Sequence, residues 1–356
     1  MITEFAGKKI SALLGILPET VGHFDDEVNN YAFPPRQTLR LKKVMGFNQH
    51  RLAKETSTVS DFAVYGLQYM LNNGWLKREE IGAVVVVTLC PDHFVPHISN
   101  IVQAKCDLST DVICLDIPQG CCGFLLGLMQ SFMLLNYLNG KKVVLVNGDV
   151  LSHKVSKRDR NDYPLIGDAT TISVVEKDAK AAPVYFEMHT DGKRSDALKI
   201  PAGGFRMPCT PETAVMVDQG DGNYRSLDNI CMDGSRIFNF VQTEVPPMLL
   251  DALKRNGKTV DDFDYFLFHQ PNRFMLQKLA EKAGLPKDKL PMNLVENFGN
   301  PSGASIPLTA IFNYKEQLLA QKNKCCLSAF GSGLAWGVMF IEIGKLRYCD
   351  LTESNL

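Results

Sequence analysis

The sequence predicts a layered α/β body made of two copies of one β-α-β-rich unit, residues 1–180 and 181–356. Three observations predict it. Short apolar runs, among them Ala83–Leu89, Lys142–Val146 and Tyr265–Phe268, read as strands buried on both faces. These runs alternate with helical stretches, a pattern that favours parallel pairing with helices covering the sheets. The corners between strands and helices recur in register. Thr88 to Cys121 spans 33 positions, and so does His269 to Ser302; Cys121 to Lys142 spans 21 and Ser302 to Lys324 spans 22.

Taken in order, residues 10–17 read as the first strand. The following thirty or so read as irregular, with Pro34–Pro35 and the basic run Arg36, Arg40, Lys42 and Lys43. Helical periodicity covers 59–73, with Ser60 and Asp61 as capping residues. Ala83–Leu89 is a strand, His97–Lys105 a helix and Lys142–Val146 a strand. Residues 152–164 are polar and read as a surface loop, and Ala169–Val175 returns as a strand. In the second half, Val184–His189 is a strand and 190–230 a Gly- and Pro-rich irregular stretch. Ile237–Leu253 is helical apart from Pro246–Pro247. Tyr265–Phe268 ends at His269, and Phe274–Ala283 is a helix closed by Gly284. Pro301-Ser302-Gly303 opens an apolar helix to Leu319. Lys324–Ala329 ends in Gly331-Ser332-Gly333, and Gly337–Ile343 reads as the last strand.

Composition narrows the function. The chain has 356 residues, 45% of them hydrophobic and 22% charged, with a formal net charge of −1. That balance gives no case for nucleic acid or an anionic membrane. No apolar run is long enough to span a bilayer, and the first ten residues do not read as a signal peptide. Ten cysteines without zinc-like or disulfide-frame spacing read as reduced thiols in a cytoplasmic protein. His93, His97, His153 and His189 have no metal-ligand spacing, so no metal is expected.

Residues 113–124, ICLDIPQGCCGF, carry the chemistry. A strand stops at Pro118, Gln119-Gly120 turns the chain, and Cys121-Cys122 precede the apolar helix that opens at Gly123. Unpaired N–H groups and the positive end of the helix dipole favour a thiolate there. Either cysteine could instead be a small packing residue. Ligands in parallel α/β sheets sit beyond the carboxyl ends of strands. Cys121, His269 and Asn300 all fall at such ends, so a pseudo-twofold packing of the halves brings them together. A thiol, an imidazole and an amide form a coherent set. The thiol takes an acyl group from a thioester, and the two N–H donors hold the enolate left when a malonyl thioester loses CO2.

At these residues the chain resembles the β-ketoacyl-acyl carrier protein synthase III family of the thiolase superfamily. The family's A-C-A-G-F motif is matched by Gly120-Cys121-Cys122-Gly123-Phe124, its H-Q-A-N by His269-Gln270-Pro271-Asn272 and its G-N-T-S-A-A-S by Gly299–Ser305. Its C-terminal F-G-G-G-x-T-W-G is matched by Phe330–Gly337. The resemblance implies a thiolase-like α-β-α-β-α body and a catalytic triad of Cys121, His269 and Asn300. It also implies an oxyanion site made by the backbone N–H groups of Cys121 and Ser332. The motif register makes Cys121 the nucleophile and leaves Cys122 to packing. Acyl-coenzyme A, a malonyl thioester and acyl carrier protein are the implied partners. The thioesters are substrates, with no resident cofactor, and a homodimer is expected.

Further positions carry over less tightly. Arg160 matches a contact to the adenine of coenzyme A, and Asn272 a residue that steadies the pocket. Arg40 stands where bacterial members often carry an adenine-stacking tryptophan. Phe274 stands where the family has a carrier-protein arginine. Val95 stands where a side chain crosses the dimer to floor the partner's acyl pocket, and a residue smaller than the usual Phe implies room for more than acetyl. Asn48 replaces an arginine of the family's G-I-R-x-R segment. Two other functions compete with condensation: acyl transfer to a non-malonyl acceptor in a secondary-metabolite or glycan pathway, and a non-catalytic scaffold.

Overall fold

Two mixed sheets carry the chain's buried runs and hold two apolar helices between them. The structure, a computed structural model, describes residues 1–220 and 222–356. The first sheet has six strands in the order Tyr348–Ser354, Lys8–Pro18, Ala169–Lys177, Lys142–Asp149, Ile81–Val87 and Ile113–Ile117. The second has five: Ile2–Phe5, Val184–Thr190, Ala335–Gly344, Lys322–Gly331 and Tyr265–Phe268. Ile81–Val87, sequence IGAVVVV, is buried at every position and pairs in parallel with both neighbours. A strand with no wet face needs apolar residues at every position, which is why the run does not alternate.

Parallel pairing is only part of the pattern. Lys142–Asp149 pairs antiparallel with Ala169–Lys177, and Lys322–Gly331 with Ala335–Gly344. The latter two are joined by three residues, and so short a connection can only reverse the chain. Tyr265–Phe268 pairs in parallel with Lys322–Gly331, with helices between them in the chain.

Helices Gly123–Leu134 and Ser305–Ala320 form the middle layer. Leu125, Leu128, Ile306 and Ile311 share one core with Val85 and Val87 of the first sheet and Leu327 and Met339 of the second. Val59–Asn72 and Ile98–Lys105 cover the outer face of the first sheet, and Gly234–Arg255 and Arg273–Ala283 that of the second. The result is the α-β-α-β-α body.

Several local readings change. The cap of the first covering helix is Thr58, whose backbone N–H donates to Asp61 Oδ2 at 3.0 Å in a capping box, so Ser60 lies inside the helix. The basic run is helical, over Pro35–Leu41 and then Lys42–Gly46; Pro35 begins it where no N–H is needed. Gly234–Arg255 runs straight through Pro246 and Pro247, held by burial of Val245, Met248 and Leu249. Residues 152–164 are not a surface loop: Val155, Asp159, Asp162 and Tyr163 are buried. Two short strands escape the pattern altogether. Ile2–Phe5 edges the second sheet beside Val184–Thr190, and Tyr348–Ser354 edges the first in parallel with Lys8–Pro18. All ten cysteines are unbridged.

Candidate active site

A cavity of about 320 Å³ opens at the carboxyl ends of strands from both sheets, with mostly apolar walls. Cys121, His269, Asn300 and Ser332 all line it. The duplicated corners therefore converge, as their spacing anticipates.

Cys121 stands just ahead of the central helix. Gly123 N–H closes the turn onto Gly120 O at 2.6 Å, and Cys122 begins the helix with its thiol buried against Ala335 O at 3.3 Å. The hairpin at 331–334 crosses directly over the thiol. A Cβ on Gly331 would stand 2.5 Å from Cys121 Sγ, so a glycine is required for the crossing. The thiol's pKa is nevertheless raised, not lowered. Burial is the largest cause, and the charge of Asp149 adds to it. The backbone N–H groups of Ser332 and Cys121 and the Ser302 hydroxyl oppose it. The helix start alone argues for a thiolate; the low-dielectric surroundings outweigh it here. The two N–H groups that face the sulfur are those assigned to the oxyanion site.

His269 extends the strand Tyr265–Phe268, its N–H donating to Ser328 O at 2.8 Å. Its ring is 2% exposed, and Nδ1 lies 2.8 Å from Ser305 Oγ in the first turn of the second central helix. Burial lowers its pKa to about 3, against a smaller opposing contribution from the Ser302 backbone. The imidazole is thus neutral at physiological pH. With the Ser305 hydroxyl donating to Nδ1, the proton sits on Nε2.

Asn300 is held by the other half of the molecule. Its N–H donates to Leu165 O at 2.6 Å and its carbonyl accepts from Gly167 N–H at 3.2 Å, a single parallel bridge with Ile166. The approach needs bare backbone: a Cβ on Gly167 would overlap Phe298 O, and one on Gly299 would meet Gly167. The side-chain Oδ1 accepts from Ser302 N–H at 3.0 Å, with Ser302 at a φ of 50°. That pins the amide and leaves its N–H₂ as the free donor.

The entrance is a second cavity, of about 640 Å³, that shares Asp162, Leu165, Met232, Ile237, Asn272 and Met275 with the first. Asn272 uses Oδ1 to cap helix Arg273–Ala283, accepting from Met275 N–H at 2.8 Å. Arg160 and Phe274 line the entrance, Phe274 stacked on Phe238. Arg40 and Val95 line neither cavity. Arg40 is exposed on the helix Pro35–Leu41, and the aromatic that meets Arg160 is Phe33, its ring centroid 3.2 Å below the guanidinium. Val95 is 78% exposed, beside Phe94 at 61%. Sequence reading also missed Ser305, which sits in a quoted motif, and Asp162, whose charged surroundings read as surface.

Among the described residues no group of three or more His, Cys, Asp and Glu side chains could hold a metal, and no helix is long and apolar enough to cross a membrane.

Comparison with known proteins agrees with this geometry. Family models described as 3-oxoacyl-[acyl-carrier-protein] synthase III and its C terminal match residues 115–192 and 253–343. A putative 3-oxoacyl-[acyl-carrier-protein] synthase 3 of Campylobacter jejuni is 32% identical over 360 residues, covering 100% of this chain and 98% of its own. A β-ketoacyl-[acyl-carrier-protein] synthase III of Natranaerobius thermophilus is 30% identical over 302 residues, 83% of this chain and 88% of its own. The crystal structure of a 3-oxoacyl-(acyl-carrier protein) synthase from Burkholderia xenovorans superposes with a TM-score of 0.91 at 30% identity, over 99% of both chains. Fold and site thus define a thiolase-superfamily acyltransferase of the β-ketoacyl synthase type. Within that class, the chain belongs to the 3-oxoacyl-[acyl-carrier-protein] synthase III family.

Proposed function

We propose that this protein primes carbon-chain synthesis by two steps on Cys121. The thiol attacks the carbonyl carbon of an acyl thioester; the carbonyl oxygen moves toward the N–H groups of Cys121 and Ser332. The donor's C–S bond breaks, and its sulfur leaves with the proton that Cys121 gave up. A malonyl thioester then loses its carboxylate as CO2, and the electrons of the broken C–C bond become an enolate. Its oxygen is held by His269 Nε2–H and the Asn300 amide. The enolate carbon attacks the acyl-cysteine carbonyl, a C–C bond forms and the Cys121 sulfur departs.

The observation that carries this reading is the pairing of a neutral imidazole with a pinned amide on the thiol's own cavity. Two N–H donors are what a developing enolate oxygen needs, and simple hydrolysis or transfer has no such oxygen. The apolar walls suit an acyl chain longer than acetyl. Coenzyme A or acyl-carrier phosphopantetheine thioesters enter as substrates past Arg160, Asn272 and Phe274, with no resident cofactor. Exposed Phe94 and Val95 suit contact with a second copy of the chain, in a cytoplasmic homodimer.

Intact-mass measurement after incubation with a panel of acyl-coenzyme A and acyl-carrier thioesters tests the first step. Wild type gains one acyl mass and Cys121→Ala gains none. Release of labelled CO2 from a malonyl thioester tests the second. Acyl uptake without CO2 release would replace condensation by transfer to a non-malonyl acceptor.

A further inference from the structure

The neck between the entrance and the reaction cavity holds a group that the condensation does not use. Six residues line both spaces. Four are apolar. The polar ones are Asn272, whose carbonyl oxygen is engaged as a helix cap, and Asp162. The Asp162 residue is 3% exposed, and neither of its carboxyl oxygens has a hydrogen bond. Among the described residues, Asp159 and Arg225 are the charged groups that act on it. Arg225, from the short strand Tyr224–Arg225, lies 3.8 Å from Asp162 Oδ2 but 3.2 Å from Asp159 Oδ2, so its guanidinium leans toward Asp159. Arg160 and Asp233 line the entrance farther out. A carboxyl buried without a hydrogen bond is costly, and this one lines both spaces.

We propose that Asp162 is a specificity residue, binding an amide of the thioester's arm as it threads the neck toward Cys121. The proposal rests on the thioester chemistry assigned to Cys121. A passing alkyl segment would leave the carboxyl unpartnered. An amide is its complement: a protonated carboxyl donates to an amide oxygen, and its own carbonyl oxygen remains an acceptor for an N–H. The acid form is the one present near neutrality. Burial, and secondarily the charge of Asp159, raise the Asp162 pKa to about 8 against the pull of Arg225. As pH rises through that value the carboxyl loses its proton and keeps only its acceptor role, so recognition of the arm weakens on the alkaline side.

The test compares acyl transfer to Cys121 from two donors of the same acyl group, one on pantetheine and one on 2-mercaptoethanol, which has no amide. Asp162→Leu raises KM for the pantetheine thioester about tenfold, with a far smaller change for the mercaptoethanol thioester. Asp162→Asn, which keeps a donor and an acceptor but cannot ionise, restores KM to within about threefold and abolishes its alkaline rise. Equal KM changes for the two donors, or an unchanged KM in Asp162→Leu, would overturn the proposal. So would an alkaline rise that survives in Asp162→Asn. If Asp162→Leu does not fold, the pH profiles of wild type and Asp162→Asn decide alone. A wild type that takes up no acyl group from either donor overturns the thioester chemistry itself, and this proposal with it.

Discussion

The corner that carries Cys121 and the corner that carries Asn300 have the same outline and opposite chemistry. Each lies between a sheet and the first turn of a central helix, and the two helices lie side by side. At the first corner the backbone donors stay free for the side chain: the N–H groups of Cys121 and Ser332 face the sulfur. At the second the backbone is consumed. Asn300 spends its own N–H and C=O on Leu165 and Gly167 of the other half, and Ser302 N–H is spent on its Oδ1. What remains is a side-chain amide aimed at the cavity. A duplicated frame thus yields two different tools, according to whether the backbone donors at the corner are left free or committed.

Breaking the second corner separates the two tools most sharply. On the proposed mechanism, replacing His269 or Asn300 by Ala removes a donor to the enolate and should slow CO2 release by about 10²–10³-fold, while acyl uptake by Cys121 continues. Stopped-flow decarboxylation beside intact-mass acylation measures both, and equal losses in the two assays would deny the division of labour. The first corner answers to Gly331. Gly331→Ala drives a methyl into the Cys121 side chain; overpacking of this kind costs about 1–3 kcal/mol. Thermal unfolding should shift down accordingly and acylation should slow, with His269-dependent decarboxylation less affected.

A further effect is on stability against pH. His269 titrates near its ordinary 6.5 when unfolded and near 3 when folded. Between those values the unfolded chain binds a proton that the folded one refuses, so this residue makes stability fall as pH drops from about 6.5 toward 3. Above 6.5 it contributes no such dependence. Denaturant titrations of wild type and His269→Gln between pH 4 and 7 should show a shallower acid-side fall in the variant.

The interior of the site was legible because its requirements are strict. Strands buried on both faces leave continuous apolar runs, and a thiol, an imidazole and an amide at fixed offsets leave motifs. The entrance follows looser physics. The aromatic at Arg160 is Phe33, while Arg40, the position that motif counting selects, lies exposed on the helix Pro35–Leu41. Asp162 sits in a charged stretch, KRDRND, whose composition reads as solvated surface; the fold buries it beside Arg225, more than sixty residues away. The terminal strands were missed for a related reason. Ile2–Phe5 alternates exposed and half-buried residues, an edge pattern too weak to stand out, and Tyr348–Ser354 is mostly half-buried.

Those two strands make the halves inseparable. The chain's first strand edges the sheet of the second half, and its last strand edges the sheet of the first. Each half clasps the other by its own tail. A cut in the turn between Lys177 and Val184 would give two fragments, each holding an edge strand that the other needs. Neither could leave intact, and the shared middle layer of helices would lose both of its walls together. The catalytic corners therefore belong to one cooperative body, whose two faces cannot loosen independently.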